Sequence, residues 1–226
     1  MNNQDAIDQY QSYFSDQINS VFGLEDRLHR KILLVTMLDA WARARYPNLR
    51  GNQERFIRLL SECSDWQDHN RVSLPQLFLT LQTQPANTHS QLTKEVRDRL
   101  YVWQYGRIYE LDMDPWLDEF RSLAKSDNEL KLITSARHAD LLYTYRNHLV
   151  HEFREPGDGM EMTDNTKPYY HGMSDLQGTD TWELVYPNGF FKYIAERSLV
   201  NLKKYLQDND LDPYSFYEFG SPWKRR

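Results

Sequence analysis

The stretch NELKLITSARHADLLYTYRNHLVHEFR, residues 128–154, decides the fold class. At about 100° per residue its small and apolar side chains recur along one face, which is the pattern of an amphipathic helix. Glu155-Pro156-Gly157 follows, and such a run ends a helix. The stretch therefore predicts one long helix with this stripe: Leu132, Ala136, Ala139, Tyr143, Val150 and Phe153, flanked by Leu142 and Leu149.

Arg146 falls inside that apolar stripe. A guanidinium keeps its charge at any ordinary pH, and burying it without a partner is very costly. The stripe is therefore expected to offer Arg146 a partner, or to open onto a cleft or a second subunit.

The rest of the chain also reads as mostly helical, and the predicted fold class is an all-α helical bundle with a short strand or hairpin before the last helix. Helices are expected over about 24–46, from Asn52, after Ser73, over about 90–110, and from an N-terminal signal at Asp114-Pro115. The strand is expected at Trp182–Tyr186. The predicted organisation is a single domain over 1–226: N-terminal helices to about 110, motif-bearing helices over 115–154, a flexible loop over 155–181, a C-terminal helix over 190–207 and an aromatic tail over 208–226.

Composition excludes several protein classes. The chain has 226 residues and is 40% hydrophobic, enough for a sizeable core. No apolar run approaches the roughly 18–20 residues that cross a bilayer, so no membrane partner is expected. The single Cys63 provides neither a disulfide framework nor a cysteine metal site. These features predict a cytoplasmic protein without cofactor or metal.

The net charge and the local charge clusters of the chain give opposite indications about nucleic-acid binding. The net charge of −6 argues against it, but binding depends on local clusters. The cluster between Trp41 and Leu60 is a candidate RNA-binding surface, although a solvated helix face is the more ordinary interpretation of such a cluster by itself. Its members are Arg43, Arg45, Arg50, Arg55 and Arg58.

The segment Tyr145-Arg146-Asn147-His148-Leu149-Val150-His151 carries the candidate chemistry. An Arg followed by a polar residue, with a His five positions after the Arg, on a late helix of an all-α domain, resembles the HEPN superfamily of ribonucleases and toxins. Arg146, Asn147 and His151 match the pattern of that family. The resemblance covers about 25 residues, and elsewhere only the helical character agrees.

The resemblance implies a metal-independent endoribonuclease, in phage defence or stress response, whose two protomers pool their Arg and His residues. A two-fold dimer through the motif helix would form such a composite site from one surface patch. RNA cleavage without metal needs a base, an acid and a cation, and His151 and Arg146 are residue types with these properties. On a regular helix, Asn147 and His151 share a face, whereas Arg146 and His151 are about 140° apart, although the long Arg146 side chain can still curl toward the imidazole. A position in the last helical turn favours the imidazolium form of His151, which suits an acid.

Other interpretations stay open. Arg146 and His151 can be structural residues, and His148 with His151 can share a metal. A non-catalytic HEPN-like scaffold that binds a protein or a nucleotide is the alternative function, favoured by the acidic segment 155–181, which would repel RNA. In family toxins silenced by nucleotide transfer, a Tyr follows the His by two positions. Phe153 stands there, so an antitoxin partner of that kind is not expected.

Overall fold

The structure is a computed structural model that describes residues 3–85, 88–162, 165–174 and 180–216, apart from the side chains of 215 and 216. It is mostly helical with a small antiparallel sheet of three strands. The prediction of a mostly helical chain is confirmed, and the sheet shows that an all-α class was too narrow. The chain divides into two compact units, Met1–Asp65 with Phe191–Arg226, and Trp66–Phe190. The single domain over 1–226 stays a prediction.

The described elements follow one another along the chain with short 3₁₀ turns between some of them. They are α1 (Asn3–Phe22), α2 (Arg27–Arg45), α3 (Asn52–Cys63), α4 (Leu74–Gln82), α5 (Ser90–Leu100), β1 (Ile108–Glu110), α6 (Leu117–Arg121), α7 (Asp127–Ser135), α8 (His138–Asn147), β2 (Tyr169–Ser174), β3 (Asp180–Val185) and α9 (Asn188–Asp208).

The first unit is helical throughout its described part. Asp26 caps α2 by accepting a hydrogen bond from the His29 backbone N–H at 3.0 Å, which satisfies a donor that the first helical turn leaves unpaired. The helix ends at Arg45, just before Pro47, which cannot continue a helix. Large side chains from α2, α3 and α9 form the core, and the fully buried ones include Leu34, Leu38, Trp41, Phe56, Leu59 and Ile194.

The second unit contains the sheet, with strand order β1-β2-β3 and both pairs antiparallel. Tyr170 lies in the central strand, opposite Tyr109 on one side and Leu184 on the other. Trp103, Tyr109 and Trp182 pack together with ring centroids 4.8–5.4 Å apart. Aromatic and β-branched residues suit such a half-buried pleated surface.

The long helix predicted over 128–154 is wrong, because the chain bends at Ala136 and Arg137. The Ser73 N–H donates to the Ala136 carbonyl, and the His138 N–H donates to the Arg71 carbonyl, both at 2.9 Å. Arg137 pairs with Val72 as a β-bridge. These bonds hold the backbone extended at Arg137, so α7 ends and α8 begins afresh. The periodicity of residues 128–154 cannot indicate these hydrogen bonds, because their partners, Arg71 and Ser73, lie some 65 residues away in the chain.

The predicted stripe is also partly wrong. Leu142 and Leu149 are buried, whereas Val150 and Phe153 are 36% and 59% exposed. The bend resets the helical phase after Ala136, so the buried face of α8 is rotated relative to that of α7. The apolar side chains furthest along the stretch therefore point away from the core.

Two further predictions fail where strands form. The helix expected over 90–110 ends at Leu100, and residues 108–110 form β1. The loop expected over 155–181 contains β2 at 169–174. Ahead of β2, the Met160 N–H donates to His171 Nε2 at 3.0 Å and the Met162 N–H donates to the Tyr169 hydroxyl at 2.9 Å. The segment 155–181 lacks strong periodicity of its own, and its strand β2 forms because β1 and β3 pair with it.

Several predictions are confirmed. The strand expected at Trp182–Tyr186 is β3, and the helix expected over 190–207 is α9. The Ser73 hydroxyl caps α4 by accepting from the Gln76 N–H. In the predicted aromatic tail, the Tyr214 ring meets the Tyr10 ring edge-on at 6.0 Å. The tail residues outside those whose side chains are described are Phe216, Tyr217, Phe219 and Trp223.

Candidate functional site

The end of α8 changes from an α-helix to a π turn over His148–Glu152. The Phe153 N–H donates to the His148 carbonyl, five residues back, which is the bonding pattern of a π-helix. Phe153 itself adopts a left-handed conformation, with φ of 55°, and this ends the helix. Single π turns inside α-helices occur often at functional sites.

The π turn decides where Arg146 and His151 lie. Because it closes hydrogen bonds between residues five apart, it brings such residues towards the same side. Arg146 Nη1 lies 3.3 Å from His151 Nε2 and 2.9 Å from Asn147 Oδ1. On a regular helix Arg146 and His151 would be about 140° apart, and in the structure the long Arg146 side chain reaches His151 across the π turn. The three predicted catalytic residues therefore form one cluster, in which Arg146 contacts both Asn147 and His151.

The Arg146 contact selects one form of His151. Every guanidinium nitrogen is a donor, so the hydrogen bond requires His151 Nε2 to act as an acceptor. In this arrangement the imidazole is neutral with its proton on Nδ1. A neutral imidazole can accept a proton, but its one acceptor nitrogen is engaged by Arg146, so His151 can act as a base only when the guanidinium turns from it to a phosphate oxygen. Arg146 is half-buried and His151 is exposed, so both can meet a ligand.

Charged neighbours flank the cluster. His148 Nδ1 lies 3.0 Å from Glu152 Oε1, and Arg154 Nη2 lies 2.6 Å from Glu152 Oε2. The hydrogen bond from His148 is the largest cause that lowers the pKa of Glu152. Glu152 is thus held by its two basic neighbours.

On the buried side of α8, the Tyr145 hydroxyl donates to Glu155. Burial, and then the charge of Glu155, raise the pKa of Tyr145 well above its ordinary value. The carboxylate of Glu161 accepts from the backbone and side-chain N–H groups of Asn188 at 2.8 and 2.9 Å. Two acidic groups of the segment 155–181 are therefore engaged in hydrogen bonds within the second unit.

The predicted RNA-binding arginines lie in the first unit, and they are not equivalent. Arg43 and Arg50 are exposed. Arg45 lies over the Tyr205 ring, with Cζ 3.3 Å from the ring centroid. Arg55 Nη2 donates to the Pro47 carbonyl at 3.2 Å, and Arg58 Nε donates to Glu62 Oε1 at 2.7 Å. Three of the five arginines thus make structural contacts.

Sequence reasoning missed a buried polar network in the second unit. The Asp114 carboxylate accepts from the Leu74 N–H at 3.0 Å, and Asp114 Oδ2 lies 2.7 Å from His138 Nε2 and 2.6 Å from the Tyr170 hydroxyl. The Ser73 hydroxyl lies 2.7 Å from the Tyr170 hydroxyl. Asp114, His138 and Tyr170 are at most 1% exposed. The network joins the start of α4, the start of α8 and the central strand, so it positions the helix that carries the motif.

The N-terminal signal read at Asp114-Pro115 is wrong, because the helix that follows begins at Leu117. The Asp114 side chain caps the start of α4 instead, by accepting from Leu74. His138 belongs to no motif and lies outside the predicted stripe, so no local signal in the sequence indicated that it is buried. Burial is the first cause, and the Asp114 charge the second, that raise the pKa of Tyr170 well above its ordinary value.

The four aromatic residues at 101–109 differ in burial, and Tyr109 is half-buried. Trp103 is buried, whereas Tyr101 and Tyr105 are 89% and 53% exposed.

Within the described parts of the chain, no group of three or more His, Cys, Asp or Glu side chains is placed to hold a metal ion. None of the helices described has the length and apolar character needed to cross a membrane.

Comparisons with family models, with curated proteins and with solved structures found no match.

Proposed function

We propose that this protein is a metal-independent endoribonuclease of the HEPN-like kind, with Arg146, Asn147 and His151 in its active site. One observation carries the proposal: Arg146 Nη1 lies 3.3 Å from His151 Nε2, in a partly exposed cluster built by a π turn. A fixed cation beside an imidazole is the combination that phosphodiester cleavage by the ribose 2′-hydroxyl requires.

In the proposed reaction, the 2′-hydroxyl oxygen attacks phosphorus while a neutral imidazole accepts its proton. The bond from phosphorus to the 5′-oxygen breaks, and an acid protonates that oxygen. The products are a 2′,3′-cyclic phosphate and a 5′-hydroxyl. Arg146 stabilises the charge on the phosphoryl oxygens. Asn147, held by Arg146 at 2.9 Å, keeps the guanidinium oriented.

One protomer offers a single His151, but the reaction needs both a base and an acid. A two-fold dimer through the motif helix would bring two copies of His151 to one phosphate. Val150 and Phe153, which are 36% and 59% exposed, support this arrangement because they give the exposed side of the motif an apolar surface. A mass in solution equal to one chain would contradict the composite site.

The test is digestion of RNA in the presence of chelator by the wild type and by Arg146→Ala and His151→Ala. His151→Ala is expected to slow cleavage by roughly 10²–10⁴-fold, the usual contribution of acid–base catalysis. Arg146→Ala is expected to slow it by roughly 10²–10³-fold, the usual cost of removing one donor that stabilises transition-state charge. Arg154→Ala and His29→Ala are matched controls, because these residues are exposed and lie outside the cluster. The proposal fails if dimeric wild type leaves RNA intact, or if His151→Ala cuts as fast as wild type.

The alternative is a non-catalytic HEPN-like scaffold that binds a protein or a nucleotide. The net charge of −6 favours it, as do the structural contacts of Arg45, Arg55 and Arg58, which leave fewer cations for RNA. The scaffold predicts that expression is harmless and that Arg146→Ala changes nothing in the cell. Toxicity that disappears in this variant favours the enzyme.

A further inference from the structure

A cleft of about 130 Å³ lies between α4, α8 and β3 in the second unit. Its apolar wall includes Leu141, Pro156 and Leu184. This volume far exceeds that of one ordered water, yet it is smaller than the ~300 Å³ at which pockets for drug-sized molecules begin. Its size suits one planar ring system.

Polar side chains also line the cleft, among them those of Gln76, Thr144 and Glu183. Among the residues described, neither the Gln76 amide nor the Thr144 hydroxyl has a hydrogen-bond partner. The Glu183 carboxylate accepts from the Asp158 N–H and the Thr181 hydroxyl, each at 3.3 Å. Both bonds are long, and a carboxylate has about four acceptor positions. Glu183 therefore retains capacity for a ligand.

Gly157 keeps the carboxylate end of the cleft open. A Cβ atom at this position would lie 2.9 Å from Glu183 Oε2, and the residue has a φ of +72°. Glycine meets both conditions at no steric cost. The backbone can therefore approach Glu183 closely without displacing it.

From this geometry we infer that the cleft binds a guanine base. Guanine presents two neighbouring N–H donors on its pairing edge, and a carboxylate accepts both. Adenine places one donor beside an acceptor on that edge, and its acceptor would face the negative charge of Glu183. Proteins commonly read unpaired bases by their pairing edge within pockets of this kind. Leu141, Pro156 and Leu184 would cover the ring faces, and Gln76 and Thr144 offer further hydrogen bonds.

This site does not depend on the proposed ribonuclease activity. At 100° per residue, Arg146 is displaced by about 140° from Leu141 and 100° from Tyr145, two cleft residues of α8. The cleft and the Arg146–His151 pair thus lie on different faces of one helix. A base in the cleft would contact the same helix that carries the pair, without occupying the pair itself.

The experiment is a ligand-observed NMR titration of the full chain with guanosine, inosine and adenosine, which carry no phosphate to bind arginines. Guanosine is expected to bind saturably. Inosine lacks the 2-amino group, so it should bind roughly tenfold more weakly, as the loss of one hydrogen bond to a charged group predicts. Adenosine should bind more weakly still. No saturable binding of guanosine, or equal binding of adenosine, overturns the inference.

Glu183→Gln is the matching variant, since it keeps the shape but removes the charge and one acceptor. It should bind guanosine about tenfold or more weakly. Glu119→Gln, an exposed carboxylate on α6, is the control and should bind as wild type does. Wild-type affinity in a folded Glu183→Gln also overturns the inference. Should that variant fail to fold, the comparison of the three nucleosides on wild type decides the question alone.

Discussion

Replacing Asp114 by Ala should destabilise the protein more than any substitution on its surface. The carboxylate is 1% exposed, and it contacts the Leu74 N–H, His138 Nε2 and the Tyr170 hydroxyl at 3.0, 2.7 and 2.6 Å. Alanine can accept none of these bonds. It leaves two buried groups, the Leu74 N–H and His138 Nε2, without their acceptor, while the Tyr170 hydroxyl can still donate to Ser73.

The magnitude follows from these contacts. A hydrogen bond to a charged group contributes about 1.5–3 kcal/mol, and the substitution removes two that nothing replaces, from Leu74 and His138. We expect Asp114→Ala to lower the free energy of unfolding by about 3–5 kcal/mol, against a typical total of about 5–15 kcal/mol. Asp114→Asn should cost less, because its amide oxygen can still accept from Leu74.

Urea unfolding followed by circular dichroism measures this difference. Asp118→Ala is the matched control, since that side chain is 84% exposed, and it should cost less than about 0.5 kcal/mol. His138→Leu combined with Asp114→Ala should cost less than the sum of the two single changes, because the residues share one network. A loss below 1 kcal/mol for Asp114→Ala, or full additivity with His138→Leu, would refute the reasoning.

Three further predictions concern other parts of the chain. Burial raises the pKa of the Cys63 thiol from 9.0 to about 11, so the folded state holds its proton more tightly and stability should fall as pH rises from 9 to 11. Chemical unfolding across this range should show a flatter pH dependence for Cys63→Ala than for wild type, and equal slopes would contradict the assignment. Arg45→Ala should destabilise the protein by about 1–2 kcal/mol, because the contact of the guanidinium with the Tyr205 ring is lost. Arg43→Ala is the control, and its effect in the same thermal unfolding assay should stay within about 0.5 kcal/mol. Equal effects of the two substitutions would contradict a structural role for Arg45. Gly157→Ala should cost about 1–2 kcal/mol from its left-handed backbone, measured by urea unfolding, and a neutral result would mean that the backbone relaxes away from Glu183.

Much of the fold could be predicted because its signals are local. The Ser73 cap of α4 and the apolar periodicity of α9 depend on neighbours in the chain. The alternation at Trp182–Tyr186 likewise predicted β3. Capping and amphipathic patterns act over a few residues, so the chain alone carries them.

The candidate site was predicted by residue type and not by geometry. Arg146, Asn147 and His151 stand out in the sequence, but an ideal helix would separate the first from the last. Their contact depends on the π turn, and a π turn has no sequence signature comparable to a cap. His138 and Asp114 were missed as partners, because their hydrogen bond joins residues 24 positions apart.

The sequence by itself thus determined the mostly helical character, the places of α2, β3 and α9, and which residues carry the candidate chemistry, because propensity, capping and periodicity are properties of adjacent residues. Tertiary structure decided the bend at Ala136–Arg137, the pairing of β1 with β2 and the burial of Asp114. Each of these depends on a backbone or carboxylate group finding a hydrogen-bond partner far along the chain. A buried polar group must be paired, and only the folded chain determines which partner it meets.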